Sequence, residues 1–554
     1  MRGRLLDGVA RIARDLLPAR KRADVPRPSG GPDELRLHLE LRARRAGSPE
    51  VDVSTAEDLD LEALFSRVDR CASAVGQQWL WARLRTPPAD HGALDGFDAL
   101  VTALAGAGEA REGIRRALAR LGGPGAYLLP YVLEGELPER PAAYRLVPCL
   151  TGAALLAIGA TILLGVPGLL ALVAICAVNV VVRLSFRKTV APALGSLPAV
   201  RALLKTGIEL ARPGTALPDG PRGRLEAAIA PVRSLLRTTA WLALEADARD
   251  ELTQLFYEYV NLLFLLDVNA LLFSLGLLSR GREALRDLFE VVGEVDGALA
   301  TAAFRESLPA WCRPRLLAGG EGLRVEEAFH PLLETPVPVS IAEEGASLLV
   351  TGSNMSGKTT FLKTLGVGTL LGRTLATCPA RRWEAPPFVV VSAMSRAESL
   401  AEGTSYYLGQ VRRVGGMIAA SDDAAPRLFL LDELFRGTNT IERIAAARAV
   451  LARLARPPHR VAVATHDLEL VPLLRGAYVP FHFREELRDG ALSFDHRLRP
   501  GPSSTRSALA LLRWCAYPTD VVELAEETVG TLLGSVGRAP AAGDGGGTGG
   551  RPRG

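Results

Sequence analysis

Cysteine, net charge and, over one long stretch, charge of any sign are in short supply in this 554-residue sequence. The six cysteines, Cys71, Cys149, Cys176, Cys312, Cys378 and Cys515, show no C-x-x-C or other ligand spacing. That argues against a zinc site or a disulfide framework and fits a reducing cytosol. A net charge of +4 names no nucleic-acid partner by itself. The N-terminal arginines precede no apolar core, which excludes a secretory signal. Leu5, Leu6, Val9, Ile12, Leu16 and Leu17 instead share one helical face, with Arg4, Arg11, Arg14, Arg20, Lys21 and Arg22 around it. Such a basic amphipathic helix suits an anionic membrane surface, DNA or a solvated flank of the fold.

No charged residue interrupts Leu146–Val182. One straight helix of that length would run about 55 Å, nearly twice the roughly 30 Å hydrocarbon core of a bilayer. The turn-like Leu164-Gly-Val-Pro-Gly168 divides the stretch into two arms, about Leu146–Leu164 and Leu169–Leu184, the second a little short. A soluble helix keeps one polar face, and these arms keep none. Arg140 and Arg145 flank one end and Arg183, Arg187 and Lys188 the other. The expectation is a transmembrane hairpin at 146–184 in the cell inner membrane, with both chain ends cytoplasmic. The milder run Val260–Leu278 carries Asn261, Asp267 and Asn269 near helical spacing and reads as a core helix.

Residues 351–360 read Thr-Gly-Ser-Asn-Met-Ser-Gly-Lys-Thr-Thr, a complete G-x-x-x-x-G-K-[ST] loop between the apolar run Ala346–Val350 and the apolar-periodic Phe361–Leu371. Strand, glycine turn and helix in that order let backbone N–H groups cradle phosphates at a helix N-terminus. The expected nucleotide-binding set is Gly352, Asn354, Met355, Gly357, Lys358, Thr359 and Thr360. Lys358 would reach the β and γ oxygens of ATP, and the Thr359 hydroxyl would complete the shell of a Mg²⁺. Downstream, Arg427-Leu-Phe-Leu-Leu-Asp432-Glu433 reads as a buried strand ending in two acids. Asp432 would hold the Mg²⁺ through water, and Glu433 would orient or deprotonate the attacking water. A third apolar strand, Arg460–Ala464, leads to Thr465-His466-Asp467 and sets His466 where α/β sheets bind ligands, as a γ-phosphate sensor. Lys358, Glu433 and His466 are thus the expected catalytic residues.

The wording of these motifs is narrower than a phosphate loop alone. Thr351-Gly-x-Asn-Met-x-Gly-Lys-x-Thr360, then Pro379-Ala380, Leu431-Asp-Glu-Leu-x-Arg-Gly-Thr-x-Thr440 and Ala464-Thr-His-Asp-x-Glu469-Leu, resembles the ATPase domain of the MutS family. In that family a Gly-x-Ser-x-Phe loop from the partner subunit caps the nucleotide, and Gly403-Thr-Ser405-Tyr-Tyr407 is similar to it. The resemblance therefore implies a homodimer, Ser405 reaching the γ-phosphate in trans, and Arg436–Thr440 at the dimer seam. Ser503–Thr528 resembles the helical segment that closes the domain and helps pair subunits. Less specifically, Asp69, Gly76, Leu80, Leu84 and Pro87-Pro88 are similar to the opening of the family's helical core, and Glu326–Leu332 to the strand leading into its ATPase domain.

Three departures matter. The mismatch-reading domain and its connector have no room, and Phe256-Tyr-Glu258, Phe304-Arg-Glu306 and Phe483-Arg-Glu485 match its Phe-x-Glu motif only by chance. No aromatic to pack on adenine is evident among Glu334–Ile341. The charge-free stretch is the third. The implied fold is an α/β P-loop NTPase domain of the ABC-like, MutS type, preceded by an all-α core with an inserted transmembrane hairpin. The expected boundaries are a basic leader at 1–50, helical core at 51–145 and 185–320 around the hairpin, the ATPase domain at 321–537, and a disordered Gly- and Pro-rich tail at 538–554. The implied activity is ATP hydrolysis driving a conformational change on duplex DNA. A membrane-tethered mechanical ATPase acting on a protein partner without DNA is the alternative.

Overall fold

The computed structural model describes residues 31–46, 51–88, 91–135, 146–194, 197–238, 251–317, 322–343, 345–353, 355–394, 406–488, 491–503, 512–513, 515 and 517–536. Asn354, Ser405, the basic leader helix and the tail from Arg538 lie outside them. The chain divides into two units. One takes the described residues up to Pro314 together with Leu370–Pro379, and the other takes Arg315–Thr369 and the described residues from Ala380 onward.

The first unit is helical. Its spine is the 41-residue helix Leu266–Glu306, against which helices Ala74–Arg85, His91–Ala105 and Asp219–Ile229 pack. Small residues allow the closest approach: a Cβ at Gly293 or Gly297 would fall 2.6 or 2.5 Å from the Trp79 side chain. The Asp–Gly–Leu–Leu pattern finds its meaning here. Leu80 and Leu84 are fully buried, and Gly76 leaves room for Asp296, whose Oδ2 would stand 2.2 Å from an added Cβ. Asp296 in turn accepts from the N–H groups of Ala72 (3.0 Å) and Ser73 (2.8 Å) and from the Ser73 hydroxyl (2.5 Å), holding the start of helix Ala74–Arg85.

Two helices of this unit, Val147–Leu164 and Val166–Leu184, are long and apolar enough to cross a membrane, and only 17% and 11% of them is buried. The break between them is shorter than the sequence suggests. Gly165 alone turns the chain, at φ +70°, and the second helix begins at once, with Pro167 in its first turn, where a missing N–H costs nothing. The second arm therefore starts at Val166 rather than Leu169 and is not short. Gly168 lets it close on the first arm, since a Cβ there would lie 2.3 Å from the Ala160 backbone.

The second unit holds two sheets. Its strands are β1 (Arg315–Leu316), β2 (Leu323–Ala328), β3 (Val339–Glu343), β4 (Ser347–Thr351), β5 (Arg382–Ala385), β6 (Val389–Ala393), β7 (Arg427–Asp432), β8 (Arg460–Ala464), β9 (Tyr478–Arg488) and β10 (Ala491–Pro500). The smaller sheet runs β1-β5-β2-β3 and the larger β10-β9-β4-β8-β7-β6, parallel from β9 to β6. Strand structure thus begins at Arg315, ahead of the expected domain boundary at 321, and the strand expected over Glu326–Leu332 ends at Ala328. Strands β4 and β8 are buried at every position, as parallel strands covered on both faces must be. Cys312 and Cys378 exchange backbone hydrogen bonds within the first unit, and none of the six cysteines is in a disulfide.

Candidate functional site

Register builds the site. Val350 of β4 and Asp432 of β7 both pair with Ala464 of the strand between them, β8. The segments that leave these three strands therefore emerge side by side: the phosphate loop, Glu433 onward, and Thr465-His466. That is the C-terminal edge of a parallel sheet, where such folds bind ligands.

Gly352 and Gly357 stand at φ +139° and +117°, and helix Lys358–Leu375 starts directly behind them. Room is a second reason for glycine at 352, because a Cβ there would approach the Phe483 carbonyl to 2.8 Å. Lys358 is buried, and its Nζ donates to the carbonyls of Gly352 and Ser353, both at 2.8 Å. Thr359 Oγ1 donates to Asp432 Oδ2 at 2.6 Å. Met355 and Thr360 are exposed at the rim.

The acidic pair is treated unequally by its surroundings. Burial pushes the Asp432 carboxyl above its ordinary range, the Glu433 charge adds to this, and the Thr359 hydrogen bond and the charges of Lys358 and His466 only partly offset it. Burial also pushes Glu433 up, but the hydrogen bond from His466 and the charges of His466, Arg436 and Lys358 outweigh it, so its carboxyl ends below the usual range. Glu433 Oε1 lies 2.6 Å from His466 Nε2, and Oε2 lies 2.8 Å from Arg436 Nε. A carboxylate that close requires the proton on Nε2, so the 3.4 Å approach of Lys358 Nζ to the same nitrogen joins two donors and is not a hydrogen bond.

The chain around Glu433 is strained: Glu433 and Phe435 both sit at positive φ (+49° and +60°), as does Gly437. Gln410, on helix Tyr406–Ala420, holds this turn, donating to the Glu433 carbonyl (3.1 Å) and accepting from the Phe435 N–H (2.6 Å). Arg443 grips Asp467 with two hydrogen bonds (3.0 and 2.6 Å) and so fixes the segment carrying His466. No motif marks Gln410, and Asp467 lies in the Thr465-His466-Asp467 motif with no role assigned to it from the sequence.

A cavity of about 400 Å³ opens beside the loop, lined among others by His330, Val337, Ser353, Phe483 and His496. Ser353 Oγ is buried and has no partner among the described residues, an orphan donor suited to a phosphate oxygen. His496 reaches the site through an irregularity in the β9–β10 pairing between Phe494 and Leu498, stands at φ +53°, and donates from Nδ1 to the Ser356 carbonyl at 3.1 Å. The cavity's rings thus come from Phe483 and His496 on β9 and β10, from Phe361 on helix Lys358–Leu375 and from His330, and none from Glu334–Ile341. Of the Phe-x-Glu tripeptides, Phe304 and Phe483 are buried in the two units, and Phe256 is exposed on a helix.

The sequence-predicted residues Lys358, Thr359, Asp432, Glu433 and His466 are all brought together, at the edge of an ATPase-type α/β domain. The model of MutS domain V matches residues 348–533. A DNA mismatch repair protein MutS of Thermus thermophilus is 30% identical over 256 residues, 45% of this chain and 31% of that protein. An endonuclease MutS2 of the same species is 32% identical over 270 residues, 47% of this chain and 34% of that protein. A MutS of Natronomonas pharaonis is 28% identical over 264 residues, 45% of this chain and 30% of that protein. The matched region spans about a third of the length of these curated relatives.

Proposed function

We propose that the chain is a membrane-attached MutS-like ATPase that hydrolyses ATP with Mg²⁺ in a site completed by a second copy, and that it couples this to a change in its helical cores on duplex DNA. The observation that carries the reading is the meeting of Lys358, Thr359, Asp432, Glu433 and His466 on one sheet edge. Lys358 and the loop N–H groups would bind the β and γ phosphates. Thr359 and Asp432 would hold the Mg²⁺, which would supply positive charge against the phosphate oxygens; the fit is supported by a buried carboxylate, held above its ordinary range by burial, that meets the Thr359 hydroxyl at the mouth of the loop. Glu433 would orient the water that attacks the γ-phosphorus as the bond to the bridging oxygen breaks. Its lowered pKa makes it a weak base but a dependable acceptor, and positioning is most of what loose phosphoryl transfer requires. His466 and Arg436 are positioning residues that keep Glu433 ionised.

The shared site is tested by mixing Ser405→Ala with Lys358→Ala subunits. A site capped in trans regains activity in mixed dimers, because each pairs one doubly damaged site with one intact site. No recovery despite proven heterodimers would mean a site completed within one chain.

The relatives' names supply the DNA reading, and the two exposed apolar helices support the membrane reading. Duplex binding should fall with salt and ignore mismatches, since phosphate contacts position a protein without reading bases. A tenfold preference for a mismatch, about 1.4 kcal/mol, would restore a base-reading role. No duplex binding at low salt would leave the tethered ATPase acting on a protein. For topology, single cysteines at Gly165, Ser196 and Ser503 in an otherwise cysteine-free chain are labelled from outside intact cells; only Gly165 should react.

A further inference from the structure

The helix Glu251–Phe264 carries an apolar stripe that no described residue covers. Leu252, Leu255, Phe256 and Tyr259, spaced i, i+3, i+4 and i+7, are between 52% and 80% exposed. They form one helical face. The helix packs on both apolar arms, and its partners fix its direction. Asn179 of the second arm, itself fully buried, donates from Nδ2 to the carbonyls of Leu262 and Leu263, both at 2.9 Å. One turn further along that arm, Arg183 pairs with Glu258, one turn back on the helix, and with Asp267 (2.8 Å). The helix therefore runs antiparallel to the second arm.

It ends abruptly. Leu265 turns into the left-handed region (φ +50°), and the following helix, Leu266–Glu306, departs at 74°. The carbonyls orphaned by this break are met by polar side chains: Leu262 and Leu263 by Asn179, and Phe264 by the Thr151 hydroxyl (2.7 Å); the Leu265 carbonyl already accepts from the Asn269 N–H (2.9 Å), and Asn269 Nδ2 adds a bond to it (3.0 Å) and another to Thr151 Oγ1 (2.9 Å). Water does this for a helix end on a protein surface, whereas in hydrocarbon the protein must do it itself. Thr151 and Asn179 each lie 14 residues from Gly165. The break thus sits about 21 Å below the hairpin turn, inside a hydrocarbon layer roughly 30 Å thick. Running back from it, Tyr259 and Phe256 return to the level of Arg183, the charged end of the arm, where aromatic side chains favour the membrane–water interface.

We propose that Glu251–Phe264 is a third membrane-embedded segment, a half-span that rises into the cytoplasmic leaflet beside the hairpin, sets Leu252, Leu255, Phe256 and Tyr259 against lipid, and stops at Leu265. It rests on the reading of the hairpin as transmembrane, and it replaces the soluble core helix expected over the start of Val260–Leu278. The occupant of the stripe is the bilayer because the stripe continues the exposed apolar surface of the two arms.

The test uses the full chain, cysteine-free apart from one labelled position, reconstituted in phosphatidylethanolamine–phosphatidylglycerol vesicles with or without brominated acyl chains. A fluorophore is placed at Leu156 on the hairpin, at Phe256, at Tyr259, or at Asp423 as an aqueous reference. Retained ATP turnover reports that each labelled protein is folded. Bromolipid should extinguish fluorescence at Leu156, Phe256 and Tyr259 and spare Asp423. Quenching at Leu156 with none at Phe256 or Tyr259 overturns the half-span and leaves the hairpin standing; covering of the stripe by a second copy would give the same result. No quenching at Leu156 overturns the hairpin, and the half-span with it.

Discussion

Asp296 of the helical unit and the Asp432–Glu433 pair of the α/β unit are acids held away from water, and they are satisfied in opposite ways. Asp296 accepts hydrogen bonds from neutral donors, two backbone N–H groups and a hydroxyl, and burial pushes its pKa up to about 6. Asp432 also takes a hydroxyl, that of Thr359, but it and Glu433 lie among the basic side chains of Lys358, His466 and Arg436 and close to a cavity. An acid whose partners are fixed and neutral holds architecture together. An acid set among basic side chains at the edge of a ligand-sized cavity is placed for chemistry.

The sharpest way to break this contrast is Glu433→Gln. ATP turnover should fall by about 10²–10⁴-fold, the usual weight of a positioned acid–base group, while nucleotide binding and melting temperature hold. Wild-type turnover in single-turnover assays would dissolve the distinction. Asp296→Ala should do the reverse, lowering unfolding free energy by about 2–3 kcal/mol through unpaired buried donors, with turnover per folded molecule unchanged. Gly76→Ala should reproduce that loss at about 1–3 kcal/mol by overpacking, because its methyl displaces the same carboxylate; denaturant titration reads both.

The pH dependence of stability sharpens the comparison further. The folded chain keeps a proton on Asp296 up to about pH 6 that the unfolded chain releases near the ordinary aspartate value of 3.8. Stability contributed by this group therefore falls as pH rises through that window and is level above it. Against Asp296→Asn, which cannot titrate, wild type should gain relative stability on going from pH 7 to pH 4; a flat difference would show that the carboxylate stays ionised throughout. The smallest effect expected is at Arg436. Arg436→Ala removes a positive neighbour from Glu433, so the acid limb of the turnover profile should move toward neutral pH, and an unmoved limb would leave His466 and Lys358 as the groups holding Glu433 ionised.

Legibility in the sequence followed the range of the interactions. The phosphate loop, the acidic strand end and His466 were readable because each is a local signature at a strand end, and sheet register then brings them together. The Gly165 turn was misjudged by three residues because Pro167 and Gly168 read as breakers, although proline is welcome in a helix's first turn and Gly168 serves arm packing. His496 and Gln410 were invisible, one delivered by a strand irregularity and the other by a helix packed on the Glu433 turn. Gly76 was noticed as a pattern, but its reason, Asp296, stands 220 residues away in the chain. The break at Leu265 left no glycine or proline to announce it; the polar residues that seal it come from three separate helices.

Helix Lys358–Leu375 begins in one unit and ends in the other, since Leu370–Pro379 belongs with the helical residues. There Arg83 donates to the Thr374 carbonyl (2.9 Å), and Arg305 donates to those of Leu375 and Ala376 and to the Thr377 hydroxyl. Dissection of this protein is therefore not a matter of finding a linker. A fragment ending at Pro314 would lack a strip of its own interior, exposing two arginines built to be covered, and a fragment starting at Arg315 would carry that strip with nothing to hold it. Gene truncation at the apparent boundary would damage both products, and a cleaner cut would have to graft residues 370–379 back onto the helical half.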